Sequence, residues 1–129
     1  MRYLLDTNIA IHARDGAAPV LDKIAQWPGQ VAMSALSFAE LRRGLHKRPD
    51  LAAIRLPRLM ALRGVAPVLA FDAAAAEAYG GILAACGWAK GRDFDRMIGA
   101  HALSIGALLV TNNEADFRDI PGLGLENWM

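Results

Sequence analysis

The stretch Arg2-Tyr3-Leu4-Leu5-Asp6-Thr7-Asn8 decides how this chain is read. A short apolar run ending at Leu5 reads as a buried strand, and Thr7-Asn8 opens a stretch whose apolar residues recur at helical spacing. Asp6 stands between the two. A carboxylate is thereby placed at the carboxyl end of a first strand, where open α/β sheets bind their ligands. Asp, Thr and Asn are also good helix N-caps, so this stretch alone leaves a capping role and a functional role open.

Outward from it, strands and helices alternate. Residues 2–5 read as the first strand and 7–14 as a helix ending near Asp15-Gly16. Pro19 suits the first turn of a second helix, which stops before Trp27-Pro28-Gly29. Residues 31–33 form a short strand, and Ser34 or Ser37 then starts a helix with Phe38, Leu41 and Leu45 on one face. Helical spacing resumes after Arg48-Pro49-Asp50, and Pro57 predicts a kink or restart. Residues 65–71 hold a third strand. Asp72 caps an alanine-rich helix that runs to about Cys86 and stops at Gly87. A polar loop over 88–92 leads into a helix over about 93–105. Residues 107–111 are the clearest buried strand. Asn112-Asn113 is a turn, 114–117 a helical turn and 123–126 an edge strand. The expectation is one α/β domain spanning 1–129, its parallel sheet covered by helices on both faces.

Composition narrows the classes. A chain of 129 residues with 54% hydrophobic and 21% charged residues can bury a proper core. No apolar run approaches the roughly 20 residues of a membrane span, and the N-terminal run, broken at Asp6, does not read as a signal peptide. The single cysteine, Cys86, excludes an intrachain disulfide and a cysteine zinc cluster. It reads as a small core residue and fits a reducing cytoplasm. The net charge is only +1, but residues 42–63 carry Arg42, Arg43, Lys47, Arg48, Arg55, Arg58 and Arg63 against the single acid Asp50. This local +6 leaves the remainder at −5, an asymmetry that suits an acidic partner or nucleic acid.

Four carboxylates carry the candidate chemistry. Asp6 ends strand one, Glu40 lies early in the helix after strand two, Asp95 in the first turn of the helix before the strongest strand, and Asp116 just beyond that strand. A parallel sheet would gather all four at its carboxyl edge. Carboxylates crowded together raise one another's pKa, and a hard divalent cation relieves this. Mg²⁺ and Mn²⁺ prefer oxygen donors and can orient a phosphodiester and supply the attacking water. Each acid also has a local explanation. Ser37-x-x-Glu40 matches a capping box, and Asp95 suits a helix dipole. Gly99, Ala102 and Gly106 on Asp95's face predict a close approach to the sheet that aims Asp95 inward. Asp93 reads as a cap and His101 as a packing residue.

These residues carry a resemblance. Leu5-Asp6-Thr7-Asn8, Ser37-Phe38-Ala39-Glu40-Leu41, Asp95-Arg96-Met97-Ile98-Gly99-Ala100-His101-Ala102, and Val110-Thr111-Asn112-Asn113 with Asp116-Phe117 resemble the PIN domain, and more narrowly the VapC-type toxins of bacterial toxin–antitoxin pairs. The likeness runs from Arg2 to Asn127-Trp128. It implies a three-layer α/β/α sandwich and a Mg²⁺- or Mn²⁺-dependent endoribonuclease. By resemblance Asp6, Glu40 and Asp95 match the acidic metal site and Asp116 a looser fourth position. Thr7 and Thr111 match hydroxyl positions beside it, with Asn8 and Asn112 as supporting neighbours. The resemblance also implies a small DNA-binding antitoxin and a homodimer.

Two other classes fit parts of the pattern. A phosphotransferase with Asp6 as nucleophile would place a second Asp two residues on, where Asn8 stands. A non-catalytic RNA- or protein-binding module would show no metal dependence. Residues 42–63 follow directly on Glu40, so Arg43 and Lys47 are expected to hold RNA phosphates. The helices over 37–64 also carry Leu45, Leu51, Ile54, Leu56, Leu59, Met60 and Leu62. That is more than one helix pair can hide, and it predicts an apolar groove beside the acids for an amphipathic partner helix.

Overall fold

The computed structural model describes residues 1–129. Its chain order is β1 (Tyr3–Leu5), α1 (Thr7–Arg14), α2 (Ala18–Gln26), β2 (Val31–Ser34), α3 (Ala35–Lys47), α4 (Pro49–Val65), β3 (Val68–Leu69), α5 (Ala73–Cys86), α6 (Asp93–Ser104), β4 (Leu108–Val110), a 3-10 turn (Glu114–Asp116) and β5 (Leu125–Glu126). The strands form one sheet in the order β3-β2-β1-β4-β5, and every pairing is parallel.

Side chains alternate across the pleat. Tyr3, Leu5, Val31, Met33 and Val110 point to one face, where they meet Ile9, Val20, Ile24, Leu41, Leu59 and Leu62 from α1 to α4. Leu4, Ala32 and Leu109 point to the other, where Ile82, Ile98, Ala100 and Ala102 from α5 and α6 cover them. This is the three-layer α/β/α sandwich. The strands are apolar throughout because both faces are buried.

Several local readings are corrected. α4 runs unbroken through Pro57. The carbonyl left without its donor belongs to Ala53, and both residues are exposed, so water replaces the lost hydrogen bond. The third strand shrinks from the expected 65–71 to two residues because α4 extends to Val65 and Pro67 has no N–H for the ladder. Pro67 contributes only its carbonyl, which accepts from Met33 N at 3.0 Å. Ser34, not Ser37, caps α3, accepting from Leu36 N at 3.1 Å. The Ser37–Glu40 capping box therefore does not form. Asp93 is not the cap of α6; its carboxylate accepts from Tyr79 Oη at 2.7 Å. Cys86 is half-buried, with its Sγ donating to Asp119 O at 3.4 Å.

Gly99 does admit a close neighbour, but the neighbour is the segment after β4 and not the sheet. A Cβ there would lie 2.8 Å from Ile120 Cδ1 and 3.4 Å from Leu123 Cδ2. The consequence for the site is direct: the 112–120 segment seats against α6.

Candidate metal centre

Strand order reverses at β1, with β2 and β3 on one side and β4 and β5 on the other. The crevice at such a switch point, outside the carboxyl ends of the strands, is the natural ligand site of this architecture. Asp6 follows β1 and Asp116 follows β4. α6 packs back along the sheet toward β4, which brings its N-terminal turn, with Asp95, to the same edge. Glu40 is in the second turn of α3, which leaves the sheet from β2.

Asp6 serves both roles that the sequence left open. It caps α1, its Oδ1 accepting from Ile9 N at 2.8 Å, and it is only 4% exposed. Burial pushes its carboxyl pKa above the ordinary value. Hydrogen bonds from the Thr111 side chain and Ile9 N–H oppose that shift, and the charge of Asp95 adds to it. Asp95 is raised as well, by burial first and then by the negative charges of Asp116 and Glu40, with Arg92 opposing. The four acids thus feel one another electrostatically, Asp95 linking Asp6 on one side to Glu40 and Asp116 on the other.

The supporting residues fall into place around them. Thr111 Oγ1 also accepts from Asn113 N at 3.0 Å, shaping the turn after β4. Thr7 Oγ1 donates to Ser37 Oγ at 3.0 Å, which ties the start of α1 to the first turns of α3. Asn113 Nδ2 donates to Asp116 Oδ2. Asn8 is exposed at the start of α1, and exposed Asn112 lies 3.4 Å from His12 Nε2. His101 is buried as expected, its Nδ1 2.8 Å from Ser34 Oγ and its ring edge-on to Phe71, so it braces the end of β2.

Three participants escaped the sequence reading. His12, half-buried on α1, acts electrostatically on Asp6. Arg92 donates through Nη2 to Asp116 O at 2.9 Å and lies 3.8 Å from Asp119 Oδ1. Arg96, its side chain 6% exposed, donates to Asp119 Oδ2 at 2.8 Å. Together Arg92 and Arg96 pin the Asp116-bearing segment to α6. A pair of basic residues one helical turn apart, immediately before Asp93 and immediately after Asp95, was the available signal.

Arg43 lies 3.6 Å from Glu40 Oε1, and exposed Lys47 is one turn further along α3. Of the basic stretch, Arg43 stands beside Glu40, whereas Arg55 and Arg58 face Asp15. The predicted groove does not flank the acids. Leu45, Leu59 and Leu62 are buried and Leu51 is half-buried, whereas Ile54, Leu56 and Met60 are exposed without forming a trough beside the acids. Two larger concave surfaces lie instead between α2 and α4. One, of about 440 Å³, includes Ala13, Leu21, Leu62 and Val65. Another, of about 520 Å³, includes Leu21, Ile24, Val65 and Pro67. Pro28, Gly29 and Pro67 precede β2 and β3, so this surface faces the amino edge of the sheet.

The donor set is all oxygen and carries four formal negative charges. No three of these carboxylates close into a tight cage. The all-oxygen donor set, taken by itself, fits a hard divalent cation better than zinc, whose structural sites favour nitrogen and sulfur.

The PIN domain profile matches residues 3–123. The chain belongs to the PIN-domain family. Among similar proteins, the tRNA(fMet)-specific endonuclease VapC of Shigella flexneri is 33% identical, the match covering 99% of this chain and 98% of the relative. VapBC2 from Rickettsia felis, solved bound to a DNA fragment from its promoter, has a chain that superposes with a TM-score of 0.86 at 30% identity over 100% of both chains. A toxin–antitoxin complex from Klebsiella pneumoniae contains a chain at 26% identity and a TM-score of 0.72, covering 94% of each. No helix of this PIN-domain protein is long and apolar enough to cross a membrane.

Proposed function

We propose that this protein is a VapC-type endoribonuclease toxin in which Asp6, Glu40, Asp95 and Asp116 hold Mg²⁺ or Mn²⁺, directly or through water. One observation carries the assignment of the site. Asp6 and Asp95, contributed by different elements, are both driven toward the neutral acid by burial and by neighbouring carboxylates. Such repulsion is retained at a cost in stability, and a cation relieves it.

When bound, the cation supplies Lewis-acid polarisation of a phosphodiester and a water of lowered pKa. The chain does the rest. Ile9 N–H and Thr111 fix the Asp6 carboxylate in one orientation. The Thr7–Ser37 hydrogen bond holds the two helices that bear Asp6 and Glu40 in register. Arg92, through the Asp116 carbonyl, holds the fourth acid against Asp95. Arg43 and Lys47 offset the negative field that would repel RNA and contact its phosphates.

Single-stranded RNA incubated with Mg²⁺, Mn²⁺ or chelator tests the reading. Internal cleavage that appears with either ion and stops with chelator supports it; an inert protein refutes it. Arg43→Ala with Lys47→Ala should flatten the salt dependence of RNA binding by about one to two released ions. An unchanged slope removes these residues from the interface.

The similar structures of named toxin–antitoxin complexes support an antitoxin partner for this chain. The apolar surface between α2 and α4, flanked by exposed Arg58 and lined by Leu21 and Val65, fits an amphipathic helix. Such a partner would carry acidic residues toward Arg58. The surplus apolar side chains Ile54, Leu56 and Met60 on α4 leave surface for a second copy of the chain. Sedimentation of the isolated protein distinguishes a homodimer from a monomer.

A further inference from the structure

Of the loop between α5 and α6, Gly87-Trp88-Ala89-Lys90-Gly91-Arg92, the acidic site as described above uses only Arg92. Trp88 is 66% exposed, more than any other large hydrophobic side chain. The other two tryptophans are packed: Trp27 and Trp128 both stack edge-on against Tyr3, with ring centroids 5.5 and 4.9 Å away. An indole left in water forgoes most of the burial that stabilises such a residue. It is held out by a defined turn. Gly87 at φ 74° ends α5 and Gly91 at φ 81° reverses the chain, conformations that favour glycine. Arg92 N donates to Ala89 O at 3.2 Å, closing the turn through Gly91.

The loop is also fastened to the acids. Arg92, its last residue, donates to Asp116 O at 2.9 Å and opposes the raised pKa of Asp95. Trp88 is four residues upstream, and exposed Lys90 lies between. No acidic residue occurs from Ala78 to Arg92. An exposed aromatic face beside an exposed cation, next to a cluster of carboxylates, matches the way single-stranded nucleic acid is held: bases stack on the ring while cations follow the backbone.

We propose that Trp88 is a stacking platform for an unpaired base of the RNA, with Lys90 holding an adjacent phosphate and Arg92 keeping the loop fastened to the acids. This rests on the reading of the acidic site as a ribonuclease centre. An exposed indole beside the unpaired ammonium of Lys90, at the same sheet edge as the nuclease acids, favours RNA as the occupant. A base must be unstacked from its neighbours to use the platform, so the site selects single-stranded RNA over duplex.

The test compares wild-type protein, Trp88→Ala and Trp88→Phe on one short single-stranded RNA with Mn²⁺. Because Trp88 is exposed, Trp88→Ala should keep the circular-dichroism spectrum and melting temperature. Stacking predicts that Trp88→Ala raises the RNA Kd and KM about tenfold with little change in kcat, and that Trp88→Phe restores most of the loss. Removing a single base from the RNA backbone should weaken the wild type at one position and add nothing to Trp88→Ala. Trp88→Ala with wild-type Kd and KM on an RNA that the wild type cleaves would overturn the platform alone. Weakened capture of a protein partner with RNA constants unchanged would do the same, and would assign the indole to that partner. A wild-type protein that neither binds nor cleaves RNA would instead refute the ribonuclease reading.

Discussion

Asp119 and Arg96 are unequal partners, and the inequality predicts an asymmetric pair of mutants. Arg96 is 6% exposed and Asp119 50% exposed, joined at 2.8 Å. Arg96 Nε and Nη1 are buried without a partner even in the intact protein. Asp119→Ala removes the remaining acceptor and strands a cation that water reaches poorly. The expected cost is about 1–2 kcal/mol, the worth of a hydrogen bond to a charged group near the surface, or a melting temperature lower by about 3–10 °C in a chain of this size. Arg96→Met keeps the volume, removes the unsatisfied donors and leaves Asp119 solvated, with Arg92 3.8 Å away. Its expected cost is about 0.5 kcal/mol or less. Asp119→Ala should also slow RNA cleavage more than Arg96→Met, because it removes the partner of both Arg92 and Arg96 from the segment that carries Asp116, whereas Arg96→Met leaves Arg92 its contacts. Thermal unfolding at pH 7 measures the first difference and initial cleavage rates the second. If Arg96→Met destabilises as much as Asp119→Ala, the account of the pair is wrong.

Asp95→Asn should raise the melting temperature of the chelator-treated protein at pH 7, with the gain shrinking toward pH 4. The folded pKa of Asp95 lies above its ordinary 3.8, so the native state binds more protons in that window and wild-type stability falls as pH rises through it; a gain that grows on acidification would refute this. Ser37→Ala should cost about 1 kcal/mol through loss of the Thr7 hydrogen bond, whereas Glu40→Gln should cost no stability, since no capping box exists to break; thermal melts decide both. Leu21→Glu or Val65→Glu, at the α2–α4 surface, should weaken binding of the cognate antitoxin at least tenfold while metal-dependent cleavage continues, read by titration calorimetry and an RNA assay.

The layers and the acidic edge were legible because short-range patterns dictate them. Strands buried on both faces read as unbroken apolar runs, and Asp6, Glu40, Asp95 and Asp116 stand at element boundaries that a parallel sheet must bring together. The errors have a common cause, since each depended on what faces a residue from elsewhere in the chain. Ser37 looked like a cap by spacing, but Ser34 satisfies the helix end and Ser37 turns to Thr7. Pro57 looked like a break, but its solvent-facing position makes the lost hydrogen bond cheap. Gly99 looked like a contact with the sheet, but the space it leaves is filled by Ile120, 21 residues away. Arg92 and Arg96 were given no role because their partner, Asp119, is separated from them by a strand and a turn. The apolar excess of α4 was visible, but its position relative to α2 was not.

The central claim is that the four acids form one metal-dependent nuclease centre. The rate of RNA cleavage by Asp95→Asn, measured beside wild type across a Mn²⁺ titration, tests it most directly. Asn keeps the size of the side chain and removes the charge, so the fold persists while the site loses the carboxylate that couples the other three. The account predicts that wild-type cleavage saturates with Mn²⁺ and vanishes with chelator, and that Asp95→Asn is at least 100-fold slower at every concentration, in the range expected for losing a main electrostatic contributor. Cleavage by Asp95→Asn at the wild-type rate, or wild-type cleavage that survives chelator, would contradict it.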